Sequence, residues 1–154
     1  MALDELDYRL LTRLQDDGRV STADLARESS LSPPGVQKRL KRLEDGGVIL
    51  RYVTIVAREA VGLDLMCFIL IMLAHHRPGS VQRFREGVKS MPEVLECHYL
   101  TGEFDCLLKV VVRNHEDLQR LVERLMKVGG VDRLRTSIVL SEIKTGTSLP
   151  LDRV

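Results

Sequence analysis

The apolar positions of this chain follow two periods, and the change between them divides it. Leu3, Leu6, Leu10 and Leu14 recur every three or four residues, and Gly18 follows. This spacing predicts a helix closed by a glycine stop. Ser21 precedes Thr-Ala-Asp, a capping-box-like start with Asp24 in the Glu/Gln place. It predicts a second, short helix over 22–29 with Leu25 and Ala26 inward. Ser32 is the next N-cap candidate, and Pro33 suits the first helical position, where its missing N–H is no loss. The third helix is expected to run to about Asp45, with Gly46-Gly47 as its stop.

From Val48 the period becomes two. VILRYVTIVA (48–57) has strand character, rich in β-branched residues. Arg58–Asp64 reads as a linker. Leu65–Leu73 is predicted as a strand and Ser80–Met91 as a helix with Val81, Phe84, Val88 and Met91 on one face. Strands over Val94–Leu100 and Phe104–Val112 flank Thr101-Gly102-Glu103, a tight hairpin. Glu116–Val128 is predicted helical, with Leu118, Leu121, Val122 and Leu125 inward, and Arg135–Ile143 as a last strand. The expected fold is α+β: a helix-turn-helix domain with its following strand (1–57), a linker (58–64) and a βαββαβ, ferredoxin-like domain (65–154).

Charge enters next. Lys plus Arg is 23 and Asp plus Glu is 22, for a net +1, and the first 60 residues hold ten of each sign. A global excess therefore cannot point to a nucleic acid; only placement can. Residues 31–43 carry Lys38, Arg39, Lys41 and Arg42 and no acid. At about 100° per residue, Val36, Leu40 and Leu43 share a narrow arc. Pro34, Gln37, Lys38, Lys41 and Arg42 lie opposite, with Arg39 at the edge. A lone cluster of this kind is more often a solvated face. Behind two shorter helices it matches a helix-turn-helix, whose second helix enters the major groove. Gln37 can pair bidentately with adenine, and Lys38 or Lys41 can reach guanine. Arg39 and Arg42 are expected on phosphates, as are amides near the starts of the second and third helices, the latter at Ser32 and Gly35. Glycine is frequent where Ser30 stands in the turn.

The remaining chemistry is sparse. Cys67, Cys97 and Cys106 show no CxxC spacing, which fits reduced thiols of a cytosol rather than disulfides or zinc. His75, His76, His98 and His115 pair at no metal-ligand spacing, so no metal is expected. No Gly-rich phosphate loop or nucleophile–base set predicts catalysis or a cofactor. The longest apolar run, Leu65–Ala74, is too short for a membrane helix. The acidic N-terminus does not read as a secretory signal. The strand 65–73 is apolar on both faces, whereas both crossovers of a ferredoxin-like unit lie on one side. A second subunit is expected over the open face, with twofold symmetry as the default. The hairpin TGEFD (101–105) offers N–H groups at Thr101 and Gly102 and a carboxylate at Asp105, enough to hold a small zwitterion. An ordinary turn is the commoner meaning of such a stretch.

Three stretches together, LDELDYRLLTRLQDDGR, LSPPGVQKRLKRLEDGGVI and CHYLTGEFDCLLKVVV, resemble the Lrp/AsnC (feast/famine) transcriptional regulators over nearly the whole chain. The resemblance implies a winged helix-turn-helix joined to an effector domain, and a cytoplasmic protein on double-stranded DNA. It implies homodimers that assemble as four dimers, and an amino acid or related small molecule bound between dimers. Carried onto this chain, the effector site is Thr101, Gly102, Glu103, Phe104 and Asp105, with Tyr99 leading in and Thr136, Ser137 and Ile138 as the neighbouring wall. Leu50-Arg51-Tyr52 departs from the family's usual Gly-Tyr. Pro33-Pro34-Gly35 replaces its small polar residues, which offer bases more hydrogen bonding. Two other readings are an architectural protein that coats DNA with little preference, and an enzyme resembling sirohaem decarboxylases. The enzyme would use His75, His76, His98 and Arg77.

Overall fold

The computed structural model describes residues 2–74 and 79–151 and divides into two units. The first comprises residues up to Ile55 together with the tail from Lys144; the second is Val56–Ile143.

The first unit is three helices, α1 (Glu5–Asp16), α2 (Thr22–Ser29) and α3 (Pro33–Asp45). Their apolar stripes meet in a small core of Leu10, Leu25, Ala26 and Val36, with Leu14, Val20, Leu31 and Leu40 packed around it. Each start is capped. Asp4 accepts from the Asp7 amide while the Asp7 carboxylate accepts from the Asp4 amide, a reciprocal box. Ser21 caps Asp24, and Ser32 caps Gly35 with Pro33 at the first helical position. The expected box at Ser21 is altered: its hydroxyl donates to the Asp24 carboxylate at 2.6 Å. Gly18 is not the stop of α1 either. The helix closes on an extended Asp17, φ −143°, whose amide donates to Arg13.

No strand forms over 48–57. A strand needs a ladder partner, and among the described residues this segment has none. Leu50 is 86% and Ile55 82% exposed. Tyr52 is held, its hydroxyl donating to Glu44 at 3.0 Å. The expected linker carries a 3-10 turn, Glu59–Val61, and groups with the second unit. Residues 144–151 group with the first unit and not the second. There the Gln15 amide makes two bonds to the Leu149 backbone, at 2.6 and 3.2 Å.

The second unit runs β1 (Leu65–Leu73), α4 (Ser80–Lys89), β2 (Val94–Tyr99), β3 (Cys106–Val112), α5 (His115–Lys127), β4 (Val131–Ile138). The sheet is antiparallel with order β2-β3-β1-β4. Cys67, Ile69, Ile71, Leu108 and Val110 meet Phe84, Val88, Leu121 and Leu125 in the core. The last strand starts earlier than the sequence suggests and ends at Ile138. Its last rung is the Val139 amide on Met66, and β1 begins one residue earlier, so among the described residues Leu140 and Ile143 have no strand partner. Gly130, at φ +100°, lets the chain pass against the Ser80 backbone, where a Cβ would collide.

Candidate functional site

The basic helix resolves into two kinds of cation. The Arg39 guanidinium lies 2.6 Å from Asp4 and 2.9 Å from Asp7, and Arg42 also binds Asp7. Asp7 is completely buried. The sequence assigned both arginines to phosphates. Instead they tie α3 to the start of α1, because a buried carboxylate must be paired. The Arg39 hydrogen bond holds the Asp4 carboxyl below its ordinary range, and Asp4 in turn raises Arg39.

The other face is free of such ties. Pro34, Gln37, Lys38 and Lys41 are exposed, and among the described residues neither lysine has an ion-pair partner. Ser32 accepts from the Gly35 amide at 3.3 Å, so that amide is already engaged. The turn before α3 places Ser30 in the left-handed region, φ 57° and ψ 31°.

The hairpin of the second unit is closed by the Leu100 amide on the Asp105 carbonyl at 2.7 Å. Thr101, Gly102 and Glu103 are exposed, and Gly102 stands at φ +121°, which only glycine adopts freely. Asp105 is bound into the sheet: its amide donates to the Ile71 carbonyl, and its carboxylate accepts from the Leu73 amide at 2.7 Å. Phe104 is buried beneath two guanidiniums, Arg133 at 5.6 Å and Arg135 at 5.7 Å from its ring centre. Arg133 also meets Glu103 at 3.2 Å. Neither arginine was singled out in the sequence; their i, i+2 spacing on a strand was the available signal.

Within one chain the expected wall is set off from the hairpin along β1. Thr136 pairs with Ile69 and Ile138 with Cys67, whereas the hairpin bonds to Ile71 and Leu73. At about 3.4 Å per residue the rung of Thr136 lies about 7 Å along β1 from Ile71, and that of Ile138 about 14 Å. Tyr99 pairs with Cys106 and so shares the helix-covered face, while Arg133 and Arg135, opposite Met72 and Leu70, share the other. His98 is on that open face, bonded to Glu96 at 2.9 Å, which lowers the Glu96 pKa. His75, His76 and Arg77 lie outside the described residues.

Known proteins fit this geometry end to end. The family model for a winged helix-turn-helix DNA-binding domain matches residues 3–49, and that for an Lrp/AsnC ligand binding domain matches residues 66–149. The chain belongs to the Lrp/AsnC family. It is a transcriptional regulator of that type, with a DNA-binding helix-turn-helix followed by an amino-acid-type ligand-binding domain. It is 34% identical to the leucine-responsive regulatory protein of Haemophilus influenzae, over 97% of this chain and 91% of that one. It is 33% identical to the transcriptional regulator AzlB of Bacillus subtilis, over 99% and 98%. Among solved structures, a Neisseria meningitidis transcriptional regulator in complex with L-Met superposes with a TM-score of 0.94 at 36% identity, each chain covered to 98%. Escherichia coli AsnC superposes at 0.87 with 27% identity, over 96% of this chain and 99% of that one. The matched ligand-binding segment contains the whole TGEFD hairpin, β3 and β4. No described helix is long and apolar enough to cross a membrane.

Proposed function

We propose that this regulator reads DNA through the outward face of α3, where Gln37, Lys38 and Lys41 meet base edges and phosphates. Arg39 and Arg42 hold that helix against α1. The carrying observation is the exposed lysine face, unpaired among the described residues, on a helix otherwise fixed by ion pairs. Pro34 and Gly35 offer bases little hydrogen bonding, so discrimination falls to Gln37 and the lysines.

The effector is an amino acid, as the L-Met complex of the Neisseria relative supports by analogy. It binds at the hairpin 101–105, with the amides of Thr101 and Gly102 as donors. In one chain Thr136, Ser137 and Ile138 stand two to four rungs along β1 from the Ile71 bond of the hairpin, so a wall set directly against the hairpin is better supplied by a second chain. This favours a site between copies. Phe68 is 37% exposed on the open sheet face, beside half-buried Leu70 and Met72. A second copy covering that face forms the dimer, and four dimers form the full assembly. The protein acts in the cytoplasm, with no catalytic step.

Calorimetric titration with single amino acids, L-Met first, tests the effector site. Binding that Gly102→Ala weakens at least fivefold is expected. Unchanged binding in that variant would move the site elsewhere.

A further inference from the structure

One feature of the second unit takes no part in DNA or effector binding: two cysteines that the sequence keeps apart and the sheet brings together. Cys97 is on β2 and Cys106 begins β3. In the register of these strands Cys97 faces Leu108 and Tyr99 faces Cys106. The two thiols are therefore diagonal neighbours on one face of an antiparallel pair. Side chains so placed reach each other, and each thiol shifts the other's pKa, Cys97 down and Cys106 up. Their surroundings differ. Cys97 is exposed on β2, which pairs only with β3, while Cys106 is 3% exposed in the core. The third cysteine, Cys67, is fully buried on β1, opposite Val110, away from both.

We propose that Cys97 and Cys106 form a peroxide-reactive dithiol site, Cys97 as the attacking thiol and Cys106 as the resolving one. Cys97 thiolate attacks a peroxide oxygen: an S–O bond forms, the O–O bond breaks, and hydroxide leaves, taking up a proton as water. The sulfur loses two electrons and the peroxide gains them. The Cys106 sulfur then attacks Cys97, the S–O bond breaks, and a second water leaves with the Cys106 proton. The product is a disulfide, and a thiol reductant restores the pair. The neighbouring Cys106 thiol, with the nearby His98 and Arg85 charges, holds the Cys97 thiol down at about 7; Cys97, and burial, push Cys106 up. Division of labour follows, since the exposed, more acidic thiol attacks. Diagonal neighbours sit about 7–8 Å apart between Cα atoms, slightly beyond the usual disulfide span of 4.4–6.8 Å. Closing the bond must therefore draw β2 toward β3 by about 1 Å. An edge strand held on one side can give by that much. The bond would close a ring around the 101–105 hairpin.

The test uses the reduced, full-length protein and hydrogen peroxide at neutral pH, followed by alkylation and peptide mass mapping without reductant. A within-chain Cys97–Cys106 crosslink, reversed by dithiothreitol, is the expected result. Allowing for the lower nucleophilicity of a more acidic thiol, Cys97 should react at least roughly fivefold faster than Cys67. In Cys106→Ser, with no resolving thiol, the Cys97 sulfenic acid should persist and be trapped by dimedone. Cys97 oxidation as slow as that of Cys67, or a crosslink joining Cys97 of two chains, would overturn the proposal.

Discussion

Arg42→Ala and Lys41→Ala separate the two roles a cation on α3 can have. Arg42 binds the buried Asp7, whereas Lys41 is exposed with no ion-pair partner among the described residues. A hydrogen bond to a charged group contributes about 1.5–3 kcal/mol when both partners are dry. The Arg42 side chain is 44% exposed, so screening moves the figure toward the 0.2–1 kcal/mol typical of surface pairs. Arg39 remains to neutralise Asp7. Arg42→Ala should therefore cost the first unit about 1 kcal/mol. Asp7→Ala removes the partner of Arg42, one of the two partners of Arg39 and half of the α1 capping box, and should cost about 2–3 kcal/mol. Lys41→Ala should stay within about 0.5 kcal/mol of the parent. On DNA the order reverses. Each neutralised phosphate contributes about 0.9 to the slope of log K against log salt. Lys41→Ala should lower that slope by about one, and Arg42→Ala should leave it unchanged. Native-state hydrogen exchange at the α3 amides reads the first quantity and anisotropy over a salt series the second. If Arg42→Ala lowers the slope by one and leaves α3 protection intact, the division of the basic helix is refuted.

Ser30→Gly relieves a left-handed backbone, which costs a side-chain-bearing residue about 1–2 kcal/mol. It should stabilise the first unit by about 1 kcal/mol in a urea titration. The Asp4 carboxyl is held below its ordinary value of 3.8, mainly by Arg39. Its contribution to stability is therefore full above that value and lost as pH falls through the depressed one. Acid unfolding followed by circular dichroism should begin at higher pH in Arg39→Ala. Gln15→Ala removes both bonds to Leu149, and exchange of the Leu149 amide should become as fast as that of a free chain.

Much of this was legible because local chemistry and tertiary packing agree. Ser21, Ser32 and Pro33 marked the starts of α2 and α3, and Leu25, Ala26, Val36 and Leu43 their buried faces, since capping and the 3.6 period depend on near neighbours alone. The limits of β4 were not legible, because a strand ends where its partner ends, and its rungs pair with β1 residues 58 to 71 positions away. The same reason removes the strand over 48–57: its pattern is right for a ladder that the described residues do not supply. The capping box of Asp4 and Asp7 was not singled out in the sequence, although its i, i+3 spacing was there to be read. That Asp7 also draws Arg39 and Arg42 out of the basic face depends on how α1 crosses α3, which periodicity does not encode. Phe104 was named for the effector loop, but its cover of Arg133 and Arg135 required the sheet order.

The most direct test of the central claim is fluorescence anisotropy with the DNA just upstream of the gene for this chain. An unrelated fragment serves as comparison, at two salt concentrations, with and without a mixture of the twenty amino acids. Tighter binding to the upstream fragment is expected, weakened by salt and shifted by the mixture. Equal, salt-sensitive binding to both fragments, indifferent to amino acids, would contradict it and favour a protein that coats DNA without reading it.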